Sequence, residues 1–168
     1  MKKICMMAMM LLMSIGSFAQ DGKLALGVNL GVAAYGNSYN PFGIGVKGQY
    51  EFVENVRAEV AANYWLPKND SGVMDLNLNA QYLIPIADGA RVYPLAGVCL
   101  CATHGDAWKA ATGSQDTLFG FNVGGGIEYV VYENIKINAD IKYQRAKKSS
   151  PDLKYDGPVF QIGAAYCF

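Results

Sequence analysis

The chain has 168 residues, with 14 Lys and Arg against 14 Asp and Glu. A formal net charge of zero excludes the electrostatic footprint of a nucleic-acid-binding protein. Sparse charge, 19 glycines and 12% aromatic residues exclude a helical bundle or a disordered chain and point to a β architecture.

The first stretch, MKKICMMAMMLLMSIGSFAQ, reads as a cleavable signal peptide. Lys2 and Lys3 form a basic head, and Ile4 to Ile15 is an apolar run too short to span a bilayer as a helix. Ser17 and Ala19 place small residues at the −3 and −1 positions of a cleavage site. Residues 1–19 are therefore expected to leave, and 20–168 to form one domain. Beyond Ala19 no apolar run is long enough for a transmembrane helix. The mature chain keeps Cys99, Cys101 and Cys167, an odd number and no disulfide framework. Cys99 and Cys101 share one strand face and read as small apolar fillers. With His104 the sole histidine, no zinc site is completed, so no metal is expected.

Apolar residues then alternate with polar ones along the whole mature chain. Eight strands are expected, at about Lys23–Tyr35, Phe42–Phe52, Val56–Leu66, Val73–Ile84, Arg91–Cys101, Thr117–Val131, Ile135–Arg145 and Pro158–Phe168. The connections at Val53–Asn55, Ala87–Ala90 and Tyr132–Asn134 are tight turns. Those at Tyr35–Pro41, Pro67–Gly72, Ala102–Asp116 and Ala146–Gly157 are longer and rich in Gly, Ser, Asn and Asp. Short turns at one end and long loops at the other predict an all-β, eight-stranded, antiparallel up-and-down transmembrane β-barrel. FVENVRAE and VYENIKIN repeat a Glu-Asn turn with a cation two residues later, at Arg57 and Lys136; Arg91 follows the DGA turn similarly. Hairpin chemistry accounts for that repeat without duplication.

A soluble lipocalin-type barrel turns its apolar face inward and a membrane barrel turns it outward; the placement of the aromatics separates them. On the apolar faces, Phe42, Tyr64, Phe119, Tyr143 and Phe160 fall toward the long loops. Tyr50, Phe52, Tyr82, Tyr129, Tyr166 and Phe168 fall toward the short turns, with aliphatics between the two rings. Aromatic rings belong at the two headgroup levels of a bilayer.

The other face is polar. It carries Lys47, Arg57, Lys136 and Lys142 with Glu51, Glu59, Asp75, Glu128 and Asp140; Arg91, if inward, makes the two signs equal at five each. Buried charges need partners, so equal numbers predict a closed, salt-bridged plug rather than an ion-selective pore. Glu51 falls opposite Arg57 and is expected close to it. Pro94 has no ladder donor, which predicts a bulge and leaves the facing of Cys99 and Cys101 open.

With its signal peptide, eight alternating strands, aromatic girdles and terminal phenylalanine, the mature chain resembles the small outer-membrane β-barrel (porin-like) family, the OmpX and OmpA transmembrane-domain type. The resemblance implies the outer membrane of a Gram-negative-type envelope and, as partners, its lipid and the barrel assembly machinery. In that family the last strand is a sorting signal, matched here by Phe160, Ile162, Ala164, Tyr166 and Phe168. It implies a structural or interaction role through outer loops that meet a surface glycan or a protein partner, with small-solute transport as the alternative.

GFNVGGGIEY lacks the following helix that a phosphate-binding loop requires, so no nucleotide cofactor is expected. His104 with Asp106, Trp108 and Ser114 is the sole grouping suggestive of a lipid A-modifying enzyme, and a loop is a poor support for a catalytic constellation. The chain reads as a non-enzyme. Deleting Phe168, or appending a charged tail after it, should lower the folded barrel recovered in outer-membrane fractions; normal recovery would refute the sorting role of the last strand.

Overall fold

The computed structural model describes residues 23–35, 40–68, 71–104, 117–147 and 154–168. Its strands are β1 (Leu24–Ala33), β2 (Phe42–Val53), β3 (Val56–Lys68), β4 (Ser71–Tyr82), β5 (Ile84–Ala87), β6 (Ala90–His104), β7 (Thr117–Tyr132), β8 (Ile135–Lys147) and β9 (Lys154–Cys167). Each strand pairs antiparallel with its neighbours, β9 with β1 and β4 with β6, which closes the sheet. β4 and β5 keep one register against β6, Gln81 facing Leu95 and Ile84 facing Val92, so they form a single stave and the barrel has eight. Apart from β5, the strands run from 10 to 16 residues, enough for the roughly 9–11 residues of a tilted membrane-spanning strand.

Each tight turn is two residues: Glu54-Asn55, Asp88-Gly89 and Glu133-Asn134. Beside each, the ladder shifts register by one residue. Asn55 (φ 66°) and Gly89 (φ 75°) take the left-handed conformation that these two residue types tolerate best.

The expected bulge at Pro94 is absent. β6 holds one register with β7 from Ala90↔Tyr129 to Ala102↔Thr117, straight through Pro94↔Gly125. The missing N–H appears on the other side, where the ladder lapses between Gln81↔Leu95 and Ile84↔Val92. Leu83, in that gap, donates its N–H the other way, to Asn55 O at 2.7 Å. Alternation along β6 therefore persists, and Cys99 and Cys101 both point inward, each 1% exposed.

The later long connections are shorter than expected, while the first is longer because β1 ends at Ala33. β6 runs on to His104, β8 to Lys147, and β9 starts at Lys154. Lys147 and Asp156 take outward positions in the β8 and β9 extensions, which hides those two from an apolar-alternation reading.

Lipid replaces water as the solvent of the outer face. Val46 (60% exposed), Ile162 (62%) and their neighbours on every stave form a continuous aliphatic belt that water would not tolerate. Phe42, Phe119, Tyr143 and Phe160 are exposed above this belt; Phe52, Tyr82, Tyr129, Tyr166 and Phe168 are exposed below it, and Tyr64 and Tyr50 are partly exposed at the two levels. The rings of Tyr166 and Phe168 meet edge-on at 5.0 Å.

Inside, side chains must interlock within a narrow lumen. Gly43 faces Trp65 across the β2–β3 pair, and a Cβ there would lie 2.4 Å from the indole Cε3. Gly43→Ala should lower the unfolding free energy by about 1–3 kcal/mol, the usual cost of overpacking. Urea titration of the barrel in phosphatidylcholine vesicles reads the change; an unchanged midpoint would show that the indole has room to move.

Candidate functional site

The polar network of the lumen is the candidate site. It is layered from the short turns upward. The three turns each send a strand back into the barrel, and two residues past Asn55, Gly89 and Asn134 the inward position is Arg57, Arg91 and Lys136. These three cations converge on one carboxylate, Glu128 of β7. Arg57 Nη1 is 2.7 Å from Oε2, Arg91 Nη2 2.7 Å from Oε1, and Lys136 Nζ 3.6 Å from Oε2. Arg57 also donates Nε to Gln81 Oε1 at 2.6 Å and lies over the Tyr93 ring at 5.1 Å. Glu51 is the register partner of Arg57, as expected, but its carboxylate meets Arg91 at 3.5 Å. Arg57 instead reaches across to the opposite wall.

The middle layer joins β2 to β8. Lys47 Nζ donates to Asn138 Oδ1 at 2.6 Å and lies 4.0 Å from Asp140 Oδ2. Asp140 also accepts Asn138 Nδ2 at 2.7 Å and the Tyr93 hydroxyl. Lys142 is 3% exposed on the same inward face of β8. Glu59 is held by amides: Gln49 Nε2 at 2.7 Å and Asn79 Nδ2 at 3.2 Å.

Asp75 anchors the next layer without a cation within ion-pair distance among the described residues. It accepts Asn63 Nδ2 at 2.6 Å, the Trp65 indole N–H at 2.5 Å and Asn77 Nδ2. Asn63 Oδ1 accepts Asn29 Nδ2 at 2.6 Å and Gln161 Nε2 at 3.1 Å, while Asn122 Nδ2 donates to Asn77 and Asn79. The expected salt bridges thus cover Glu51, Glu128 and Asp140; Glu59 and Asp75 are satisfied by neutral N–H donors, which can reach a buried carboxylate without burying a second charge.

An apolar cluster, here called a lid, lies toward the long-loop end. Ala33, Tyr35, Trp65, Val73, Cys99, Cys101, Leu118, Ala146 and Val159 cluster there with exposures of 0–3%. Trp65 and Tyr35 meet edge-on at 6.5 Å, and Gln144 Nε2 lies 3.2 Å from Cys101 Sγ. This lid was not expected; inward parity at the strand ends was the available signal, since Trp65, Val73, Leu118 and Val159 all fall on it.

On the lipid side, Phe160, Ile162, Ala164 and Tyr166 of the last strand lie opposite Val32, Leu30, Val28 and Leu26 of β1. Phe168 donates its N–H to Leu24 O at 2.9 Å, and Asn134 Nδ2 holds Cys167 O at 2.9 Å. Among the described residues no three His, Cys, Asp or Glu side chains form a metal-binding group. His104 ends β6 opposite Gly72, and Asp106, Trp108 and Ser114 lie outside the described residues.

The model of the outer membrane protein beta-barrel domain matches residues 5–168. The chain belongs to this family, and it is an outer-membrane protein. Solved barrels of the same fold include Neisserial surface protein A (17% identity, TM-score 0.66, covering 88% of this chain and 98% of that one). The N-terminal β-barrel domain of Pseudomonas aeruginosa OprF follows at 17% identity and TM-score 0.63, covering 86% and 97%. Yersinia pestis Ail, in complex with the heparin analogue sucrose octasulfate, shares 17% identity at TM-score 0.55, covering 87% and 97%. No curated protein sequence matches.

Within such a barrel, Glu128→Gln would leave three cations, Arg57 and Lys136 of them buried, facing one neutral amide. We expect a loss of about 3–5 kcal/mol, as for breaking a buried ion pair from one side. Glu51→Gln, at the more open mouth, should cost under about 1 kcal/mol. Urea midpoints in lipid vesicles compare the two; equal effects would contradict the hub role of Glu128.

Proposed function

We propose that this outer-membrane barrel is a closed, non-enzymatic structural or interaction protein whose recognition is carried by its long outer loops. Supporting this are the hydrogen-bonded struts that cross the lumen, Arg57–Glu128 foremost, beneath an apolar lid around Trp65. Water-filled passage would require most of these contacts to part together. The loops within 105–116 and 148–153 are then the recognition elements, as loops on a rigid scaffold commonly are. Their partners are a surface glycan or a protein, and the barrel assembly machinery reads the last strand. The complex of Ail with a heparin analogue supports a glycan-facing role for barrels of this shape. Residues 1–19 act as the signal peptide that routes the chain to the envelope.

Small-solute transport is the competing reading. Purified protein in planar bilayers should give no stable single-channel steps in salt solution. Reproducible, uniform steps that are absent from protein-free bilayers would establish a pore and overturn the closed-barrel reading.

A further inference from the structure

Two thiols and one cation of the interior have no role in holding the barrel closed. Cys99 and Cys101 point inward from β6, fully buried, and both are free. Lys142 of β8 is 3% exposed and, among the described residues, makes no hydrogen bond or ion pair. We propose that Cys99 and Cys101 hold a monovalent d10 cation, Cu(I) or Ag(I), between two thiolates, with Lys142 as the countercharge.

Spacing favours an ion over a disulfide. Alternate residues of a strand stand roughly 7 Å apart, whereas a disulfide needs its two Cβ atoms about 3.5–4.5 Å apart. β6 keeps an unbroken register here, with Asn77↔Cys99 and Asp75↔Cys101 on one side and Cys99↔Gly120 and Cys101↔Leu118 on the other, so the backbone does not bend to close that gap. The two side chains nonetheless lean together, near enough to share a thiol hydrogen bond. An ion between the sulfurs replaces one bond by two and spans the distance that a disulfide does not.

The surroundings select the ion. Structural zinc takes four ligands, and among the described residues no third His, Cys, Asp or Glu completes a metal group with the pair. Asp75, opposite Cys101, is turned toward Asn63, Trp65 and Asn77. Val73, Leu118 and Val159 share the buried cluster with the two thiols. A soft d10 ion is satisfied by two thiolates, and an apolar shell keeps water from adding to it. Met74, the one methionine after residue 19, faces lipid and offers no third sulfur.

Charge completes the site. Two thiols and one monovalent cation give a dithiolate complex with one negative charge and release two protons, with no change of oxidation state. A buried negative charge needs a partner. Lys142 lies within electrostatic reach of Cys99, Glu59 and Asp140. Glu59 is already held by Gln49 and Asn79, and Asp140 by Asn138, Tyr93 and Lys47. The complex gives the Lys142 ammonium the anion that those carboxylates do not supply. Gln144 Nε2, 3.2 Å from Cys101 Sγ, donates to the second sulfur.

This inference goes beyond the closed-barrel reading and does not depend on what the loops recognise. The test uses the full-length mature chain carrying Cys167→Ala, which leaves the pair as its only thiols. The chain is folded from urea into phosphatidylcholine vesicles with an equivalent of Ag(I), which does not oxidise thiols, and folding is checked by heat-modifiable gel migration. After a challenge with excess glutathione, elemental mass spectrometry counts the silver that remains. The folded barrel should keep about one ion and lose it on thermal unfolding, because the paired site exists only in the fold. X-ray absorption should show sulfur as the sole neighbour of the metal. Cys99→Ala and Cys101→Ala should each abolish retention in barrels that still fold. Lys142→Gln should raise the loss to glutathione about 10-fold, a modest weight for a close buried charge pair, and Lys142→Arg should retain the ion. No silver in the folded parent, silver kept by both Ala variants, nitrogen or oxygen in the metal shell, or a Cys99–Cys101 disulfide formed in air would overturn the proposal. Unchanged retention in Lys142→Gln would overturn the countercharge.

Discussion

The structure depends on the pairing of the last strand with the first. In hydrocarbon an unpaired backbone edge costs several kcal/mol for each orphan group, and no water is present to cover it. β1 is paired with β9 from Ala33↔Val159 to Ala25↔Cys167, and the N–H of Phe168 continues the ladder at Leu24. Closure also creates the lumen. Once eight staves form a ring, inward positions have nowhere to go but toward each other, and every polar side chain there must find a partner inside the ring.

The partners found are unequal in kind. Near the short turns, charge answers charge: three cations around Glu128, with Glu51 at the mouth. Farther in, Glu59 and Asp75 are surrounded by amides and an indole. The gradient follows access to water. Glu51 and Arg91 are about one quarter exposed, so their desolvation cost is small, whereas deep in the barrel each added ion would bring a further solvation penalty. Neutral donors supply the needed N–H groups without it. Above them polarity gives way to Val73, Leu118 and Val159, whose side chains need no hydrogen-bond partner.

The architecture was legible because lipid enforces alternation on every stave: Phe42, Ile44 and Val46 announce their face as clearly as Ile137 and Ile141 do. Register within a hairpin was legible too, and Glu51 does sit opposite Arg57. What the side chains then touch was not, because Arg57 bonds a residue 71 positions away on the far wall, a relation set by closure rather than by neighbouring sequence. Pro94 misled for a related reason. Its missing donor could be absorbed by a gap in one ladder, since the intact register with β7 holds the strand straight. The lid escaped notice because Trp65 and Leu118 break the rule that inward means polar.

The struts that span the lumen also bear on how the barrel forms. Arg57 and Glu128 belong to opposite walls, as do Lys47 and Asn138, 91 positions apart. A sheet of a few staves, still open, would leave these pairs apart, with only the bonds between adjacent strands made, such as Arg57 to Gln81 and Arg91 to Glu128. Hairpins can form early and locally, and some inward ions find a partner there, as Arg91 finds Glu128 across the β6–β7 pair, but the struts that cross the lumen are made only when distant staves meet. Assembly of such a barrel is therefore close to all-or-none: partly built sheets lack most of the interior's stabilisation, and the ring, once shut, has no easy first step of unravelling.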